Sequence, residues 1–295
     1  MKLLSFTLFF FAAISYSQEN NDYTRLRAIN SNTIDFYNSD GIDFSSQTFN
    51  YKFSEKDLKK LYNKFSIKEN DIKEKDDSLS FNNSHVIKFK KVSTNNNLVG
   101  SYYFVENKNK TITVFRFNNF NKSDREFERK YINRILNNEI PKSVYDQNKI
   151  DSINFAGRKI YLGGSCYWTN VNTIQCPYYG EMNWSIHKTL ESAKSSIENQ
   201  FEFTKNQKKG KVISEEEVDV IFEGTETKAT KVIYDFTGIT SALAGMSGSK
   251  SLTIYYVANK VRDNYVSCCM SFWNNDEKTE SGLAPLLEKV MQIKK

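Results

Sequence analysis

The chain has 295 residues, of which 39% are hydrophobic and 26% charged, and its formal net charge is +6. This composition supplies a folded core and excludes a wholly disordered chain. With two histidines it disfavours a multi-histidine metal centre, and no run of about 18 apolar residues lies beyond the N-terminus, which excludes a polytopic membrane protein. Lysines alternate with acidic residues, whereas nucleic-acid binders concentrate basic charge on one face, so no nucleic-acid partner is expected.

Residues 1–17 have the pattern of a secretory signal peptide. Basic Lys2 precedes an apolar stretch at 3–14, and small residues stand three and one before a cleavage site at Gln18. The apolar stretch is shorter than the roughly 20 residues that cross a bilayer, which disfavours an uncleaved anchor. No cysteine follows it, so no lipid anchor is expected. The sequence therefore predicts an exported protein, periplasmic or secreted.

An irregular, polar lead-in with one or two short strands is predicted at 18–50. An N-terminal α+β module follows at 51–140. It begins with a helix capped by Ser54 and ends with a helix that starts at a capping box, Ser123 to Glu126. Between these helices, alternating segments predict three strands at Ser84–Val92, Val99–Val105 and Thr111–Asn118.

A linker is predicted at 141–151 and a C-terminal α+β module at 152–295. Apolar spacing predicts a helix from Leu190 and a closing helix from Leu283 to Met291. Four strands are predicted between the two helices, at Val212–Phe222, Lys228–Phe236, Leu252–Ala258 and Asn264–Trp273. The element order predicts an α+β fold, with two helix-flanked antiparallel sheets as tandem modules.

Four cysteines suggest disulfide bonding in an oxidising compartment and permit three pairings. We favour the pair Cys166–Cys176, because these residues bracket a short hairpin-like segment that closes with little rearrangement. Cys268 and Cys269 are adjacent in a predicted strand, so their side chains point to opposite faces. Cys268 is expected in the core rather than as a reactive thiol. The sequence assigns no partner to Cys269.

No complete catalytic, cofactor-binding or metal-binding motif is present, so no such residues and no cofactor are predicted. The segment 238–251 lacks the glycines of a phosphate-binding loop and of a nucleophile elbow. Two interpretations of it stay open. It is an inter-strand loop, or it is a contact loop that docks a partner or a lipid surface. The apolar residues of the second interpretation are Ile239, Leu243 and Met246.

The densest aromatic cluster is Tyr167, Trp168, Tyr178, Tyr179 and Trp184. Aromatic side chains mostly fill cores, but this group also suits a platform for a glycan or peptide. In the second case Tyr178 and Trp184 are the candidate contacts. His187 follows the cluster, and it acts as a base only if a nucleophile and an acid lie near it.

From Met182 onward the chain resembles the PsbP/Mog1-like group of α/β/α modules. The resemblance rests on Asn183-Trp184 before a helix, Glu223-Gly224 between strands, Tyr255-Tyr256-Val257 in a central strand and Leu286-Leu287 in the closing helix. It implies an α/β/α module over about the last 115 residues and a non-enzymatic role in assembly or partner binding. The Ser-Tyr-Ser-Gln junction and the richness in Asn and Lys are also similar to exported proteins of the Bacteroidetes type.

We therefore expect an exported, non-enzymatic binding or assembly module whose partner is a protein or polymer of the cell envelope. Two alternatives stay open. One is a hydrolase with a site near His187 and the Tyr178/Trp184 cluster. The other, less favoured, is a membrane-surface protein that uses the 239–246 loop. The sequence assigns neither the ligand nor the oligomeric state.

Overall fold

The computed structural model describes residues 23–31, 33–92, 96–146, 150–163, 165–207, 210–237 and 251–294. Within these ranges the fold is α+β and mainly β, with two large sheets. The predicted leader and the predicted contact residues Ile239, Leu243 and Met246 lie outside the described residues. None of the helices in the described ranges combines the length and apolarity needed to cross a membrane.

The first sheet is formed by the N-terminal part of the chain. Its strands are β1 (Arg27–Ser31), β2 (Ile34–Ser39), β3 (Ile42–Phe49), β4 (Asn83–Lys91), β5 (Asn97–Glu106), β6 (Ile112–Phe120) and β7 (Tyr145–Asp146). They lie in the order β4-β5-β6-β3-β2-β1-β7, and β1 and β7 are the parallel pair. The predicted lead-in thus contributes three strands to this sheet, and the predicted linker contributes β7.

Helix α1 (Glu55–Lys64) begins at the predicted cap, where Ser54 Oγ accepts a hydrogen bond from Asp57 N at 3.3 Å. Its Tyr62 meets Phe104 of β5 edge-on, with ring centroids 4.8 Å apart. Because of this contact, α1 covers the face of the first sheet to which Phe104 points. Neighbouring residues of a strand point to the opposite face.

Helix α2 (Arg125–Leu136) covers the opposite face, which carries Phe117. Its Phe127 and Tyr131 belong to the same buried cluster as Phe117. The predicted capping box at Ser123 is wrong by one residue, because Asp124 is the cap and accepts a hydrogen bond from Phe127 N at 3.0 Å. A carboxylate cap also suits the positive end of the helix dipole.

The second sheet is formed by the C-terminal part. Its strands are β10 (Tyr167–Asn170), β11 (Thr173–Cys176), β12 (Gly180–His187), β13 (Gly210–Phe222), β14 (Thr225–Phe236), β15 (Ser251–Val261), β16 (Asn264–Trp273) and β17 (Met291–Ile293). They lie in the order β10-β11-β12-β16-β15-β14-β13-β17. A separate hairpin pairs β8 (Ser152–Phe155) with β9 (Arg158–Tyr161). Helix α3 (Leu190–Lys205) packs on β15 and β16.

The predicted closing helix from Leu283 to Met291 is wrong beyond its first turn. Helix α4 spans only Pro285–Glu288, and Met291 opens β17, which pairs with the edge of β13. Leu286 and Leu287 are buried, as their apolar spacing suggests. The edge of β13 that does not pair with β14 offers backbone hydrogen bonds to another strand. This tertiary pairing outweighs the local helical pattern.

The predicted disulfide between Cys166 and Cys176 is confirmed, with Cα atoms 4.2 Å apart. It closes the hairpin of β10 and β11. Cys268 and Cys269 are free thiols, and Cys268 lies in the main core of the second sheet.

Replacing both disulfide cysteines with serine should lower the free energy of unfolding by about 3 kcal/mol, because the open hairpin gains chain entropy when unfolded. Urea denaturation of the Cys166→Ser/Cys176→Ser protein and of the oxidised wild type measures this loss. Reduced wild type serves as a control and should match the variant. Equal stability of the variant and the oxidised wild type would show that the disulfide contributes nothing.

Candidate functional site

A cavity of about 440 Å³ lies between the two modules and is lined by both. The N-terminal module, which in the structure is the whole first sheet with α1 and α2, contributes Gly41, Asp43, Leu98, Arg116, Asn118, Asn119 and Phe120. The C-terminal module contributes Asn172, Asn183, Ser185, Ser196, Gln200, Phe203, Thr204, Tyr256 and Cys269. We call this cavity the inter-module cleft. Its volume is in the range of small-molecule sites, which is about 300–1,000 Å³.

Strand alternation aims the polar side chains into the cleft. On β12, Trp184 enters the main core, so its neighbours Asn183 and Ser185 point to the other face. On β3, Phe44 enters the aromatic core beneath α2, so Asp43 points to the cleft. Each sheet therefore turns a polar stripe toward the other module.

The floor of the cleft is a set of hydrogen-bonded amides. Asn172 Nδ2 donates to Ser185 Oγ at 3.0 Å, and Asn183 Nδ2 donates to Asn172 Oδ1 at 3.1 Å. Asn183 Nδ2 also donates to Thr173 Oγ1 at 2.7 Å. Asn172 and Ser185 are buried. These bonds fix the amide planes, so the floor is preorganised to present donors and acceptors.

Helix α3 forms one wall of the cleft above β15 and β16. Thr204 Oγ1 lies 2.7 Å from Tyr256 Oη, which ties the end of the helix to the sheet. Cys269 lies beside Tyr256 in the neighbouring strand. Burial, together with the charge of Glu181, raises the pKa of Cys269 to about 12. The thiol is therefore protonated near neutral pH and is a poor nucleophile.

The opposite wall carries the two charged groups of the described lining. Asp43 accepts a hydrogen bond from Asn38 Nδ2 at 2.8 Å, and burial raises its pKa. Arg116 is exposed, and its Nε donates to Asn118 Oδ1 at 3.2 Å. One carboxyl group and one guanidinium leave the described lining without an excess of either charge.

Arg27 of β1 clamps the two modules together. Its guanidinium lies 4.8 Å from the ring centroid of Trp168 and 4.3 Å from that of Trp184, both in the C-terminal module. Its Nη2 also pairs with Asp146 at 2.7 Å. Burial lowers the pKa of Arg27, and the nearby Asp146 carboxylate opposes this effect. A cation between two aromatic faces, with little water, stabilises the contact between modules.

His187 forms a second contact between modules. Its ring packs on Gly41, in the turn between β2 and β3, and its Nε2 lies 2.8 Å from Ser267 Oγ. Burial lowers the pKa of His187 to about 4, with Asp40 opposing, so the ring is neutral near pH 7. Both His187 and Ser267 are buried in this contact. A substrate therefore cannot reach His187 or Ser267 while the two modules are in contact.

The predicted aromatic cluster divides into core and surface residues. Trp184 is 0% exposed, so its prediction as a partner contact is wrong, and it is a core residue held against Arg27. Tyr178 is 67% exposed. Its role as a partner contact stays a prediction. The physical reason for the division is that the large indole gains most from burial, whereas the tyrosine keeps its hydroxyl in water at the surface.

A buried polar network beneath α2 has no counterpart in the sequence predictions. His85 of β4 is fully buried, and its Nε2 lies 2.8 Å from Ser101 Oγ. Ser101 Oγ donates to Glu128 Oε2 at 2.9 Å, and Tyr103 Oη donates to the same oxygen at 3.0 Å. Polar groups at 101 and 103 share one face of β5, and this alternation is the signal in the sequence that points to the network.

This network resembles a hydrolase triad in its order but not in its access. Glu74 Oε1 lies 3.3 Å from His85 Nδ1, which gives an acid–imidazole–hydroxyl line ending at Ser101. Ser101 is 1% exposed and its hydroxyl proton is donated to Glu128. A nucleophile must reach a substrate carbon, and the buried Ser101 hydroxyl cannot do so. This arrangement is therefore a structural network.

Glu128→Gln should change how stability depends on pH. Burial raises the pKa of Glu128 from its ordinary 4.5 to about 7, although the hydrogen bonds from Ser101 and Tyr103 act to lower it. The folded protein therefore holds this proton over a range where the unfolded chain has lost it. Wild-type stability should fall by about 2–3 kcal/mol relative to the variant between pH 5 and pH 8.

Urea denaturation at both pH values measures this difference. Glu126→Gln is the matched control, because Glu126 lies on the exposed side of the same helix. It should follow the wild type at both pH values. Parallel pH profiles for wild type and Glu128→Gln would contradict the raised pKa.

Comparison with known families and with curated proteins finds no family model that matches the chain and no curated protein that is similar to it. The PsbP/Mog1-like resemblance therefore stays a prediction. Across the described ranges, no group of three or more His, Cys, Asp or Glu side chains is arranged to hold a metal ion.

Proposed function

We propose that the protein is an exported, non-enzymatic binding module that holds its ligand in the inter-module cleft. The observation that carries this proposal is the convergence of two modules on one cavity whose amide and hydroxyl groups are already held by hydrogen bonds. A preorganised polar lining lowers the entropy cost of binding.

Export is supported by two observations. The leader pattern at 1–17 is that of a secretory signal, and Cys166–Cys176 is disulfide-bonded. Disulfides persist in oxidising compartments such as the periplasm and the medium, whereas cytosolic thiols are kept reduced.

A binding role is supported by the chemistry of the groups that would have to react. Cys269, the thiol in the cleft, has a raised pKa. His187 and His85 are buried outside the cleft lining, each beside a buried serine. The hydrolase alternative requires one of these groups to become accessible. A partner-binding role is also what the PsbP/Mog1-like resemblance implies, and that family assignment is likewise a proposal.

The proposal is tested with Ser196→Trp, whose indole would project into the cleft and obstruct it. Ser195→Trp is the matched control, because Ser195 is the neighbouring, exposed residue of α3. Thermal denaturation of the full chain is recorded against panels of soluble oligosaccharides and of extended peptides. A compound that binds the cleft should raise the melting temperature of wild type and Ser195→Trp but not of Ser196→Trp.

Two results would count against the proposal. Compounds that stabilise all three proteins equally would bind outside the cleft. Turnover of any panel member that is lost in His187→Ala would favour the hydrolase hypothesis instead.

A further inference from the structure

We infer that the ligand of the inter-module cleft is a neutral oligosaccharide, bound between the side-chain amides of the floor and the phenylalanines of the two walls. This inference rests on the proposed function and narrows it to one chemical class.

The backbone of the cleft has no free strand edge among the described residues that line it. The strands of the lining are β3, β5, β6, β12, β15 and β16, and each is paired on both sides within its sheet. An extended peptide that adds a strand needs an unpaired edge. Recognition in the cleft must therefore be made by side chains, which disfavours a peptide held by its main chain.

The polar side chains suit hydroxyl groups. Each amide, as in Asn118, Asn183 and Gln200, offers donors on nitrogen and an acceptor on oxygen. A sugar hydroxyl is also both donor and acceptor, so it pairs with an amide in either direction. Such a lining satisfies a hydroxyl-rich ligand without requiring a charge.

The charge balance of the lining favours a neutral ligand. Arg116 is the one cation, and Asp43 the one carboxyl group, among the described lining residues. Phosphate or carboxylate ligands are held by several cations or by bidentate arginines. An anionic polymer would meet one exposed guanidinium and a half-buried carboxyl group, which is a poor match.

The two walls supply apolar surfaces for sugar rings. Phe203 of α3 is 37% exposed, although it is a large apolar residue, and Phe120 of β6 is half-buried on the other wall. The C–H face of a pyranose ring packs on an aromatic face, while its equatorial hydroxyls reach polar groups beside it. Exposed phenylalanine beside a polar floor is the arrangement that such a ring requires.

The same lining favours binding without cleavage. Hydrolysis of a glycosidic bond uses two carboxyl groups about 5–9.5 Å apart. Of the described lining residues, only Asp43 carries one. The bound oligosaccharide is therefore expected to dissociate with its glycosidic bonds intact.

The test is isothermal titration of the full chain with three sets of probes. These are neutral malto-, cello- and chito-oligosaccharides, anionic oligogalacturonates, and extended uncharged peptides. At least one neutral oligosaccharide should bind, and its Kd should rise about tenfold in Phe203→Ala. Gln200→Leu, which keeps the side-chain volume and removes the amide, should also weaken it several-fold.

Phe89→Ala is the matched control, because Phe89 is 66% exposed on β4, outside the cleft lining. It should leave the Kd unchanged. Peptide or oligogalacturonate binding that Ser196→Trp abolishes would overturn this inference and leave the proposed function intact. Oligosaccharide binding that persists in both Phe203→Ala and Ser196→Trp would overturn both, because the ligand would lie elsewhere.

Discussion

Gly41→Ala is expected to lower the free energy of unfolding by about 3 kcal/mol, the cost of a single methyl group placed at the contact between modules. Gly41 has φ +79°, and a Cβ at this position would lie 2.1 Å from His187 Cε1 and 2.7 Å from its Nδ1. The left-handed backbone alone costs an alanine about 1–2 kcal/mol. Forcing the buried ring aside adds about 1–3 kcal/mol.

Gly224→Ala separates these two effects. Gly224 has φ +82°, but no atom lies within 4 Å of the place that a Cβ would take, so this control carries the backbone strain without the clash. In Gly41→Ala, a second substitution, His187→Ala, should recover part of the loss because it removes the obstructing ring. Urea denaturation of the wild type and these variants gives the comparison. Equal losses in Gly41→Ala and Gly224→Ala would mean that His187 does not pack on this turn.

Arg27→Ala should lower the free energy of unfolding by about 3 kcal/mol. It removes a cation held between Trp168 and Trp184, and it leaves Asp146 without its ion pair. A desolvated cation–π contact is worth about 2 kcal/mol, and loss of a partly buried ion pair adds to it. The indole rings should then meet water, so the tryptophan emission should shift to longer wavelength.

Two variants control this measurement. Lys90→Ala removes an exposed cation from β4 and should change neither stability nor emission. Arg27→Met keeps much of the side-chain packing and should lose less than Arg27→Ala, with the difference reporting the charge. If the Arg27→Ala protein kept the emission and the stability of the wild type, Arg27 would not stabilise the contact between the modules.

Local patterns in the sequence predict most of the elements. The cap at Ser54 and the alternation of 212–222 and 264–273 are properties of neighbouring residues, so they are visible without the fold. The helical spacing at β17 is misleading, because the pairing of β17 with β13 is a contact between residues about 70 positions apart. The strands of the lead-in are hard to predict because their cleft-facing side chains, such as Asp43, are polar and resemble those of a solvated segment.

The cleft itself is beyond prediction from a single sequence. Its lining comes from separate stretches, including Asp43, Asn118, Asn183 and Gln200, and no spacing relates them. Each residue alone is typical of a solvated strand or helix face. The polar stripes become a site only when the Arg27 and His187 contacts bring the two modules together.

Hydrogen–deuterium exchange of the full chain, with and without a bound neutral oligosaccharide, shows whether both modules hold one ligand between them. Two segments should gain protection together, 116–120 at the end of β6 and 196–204 of α3, because they form opposite walls of the cleft. Protection confined to one module, or found instead around the exposed Tyr178, would contradict this account.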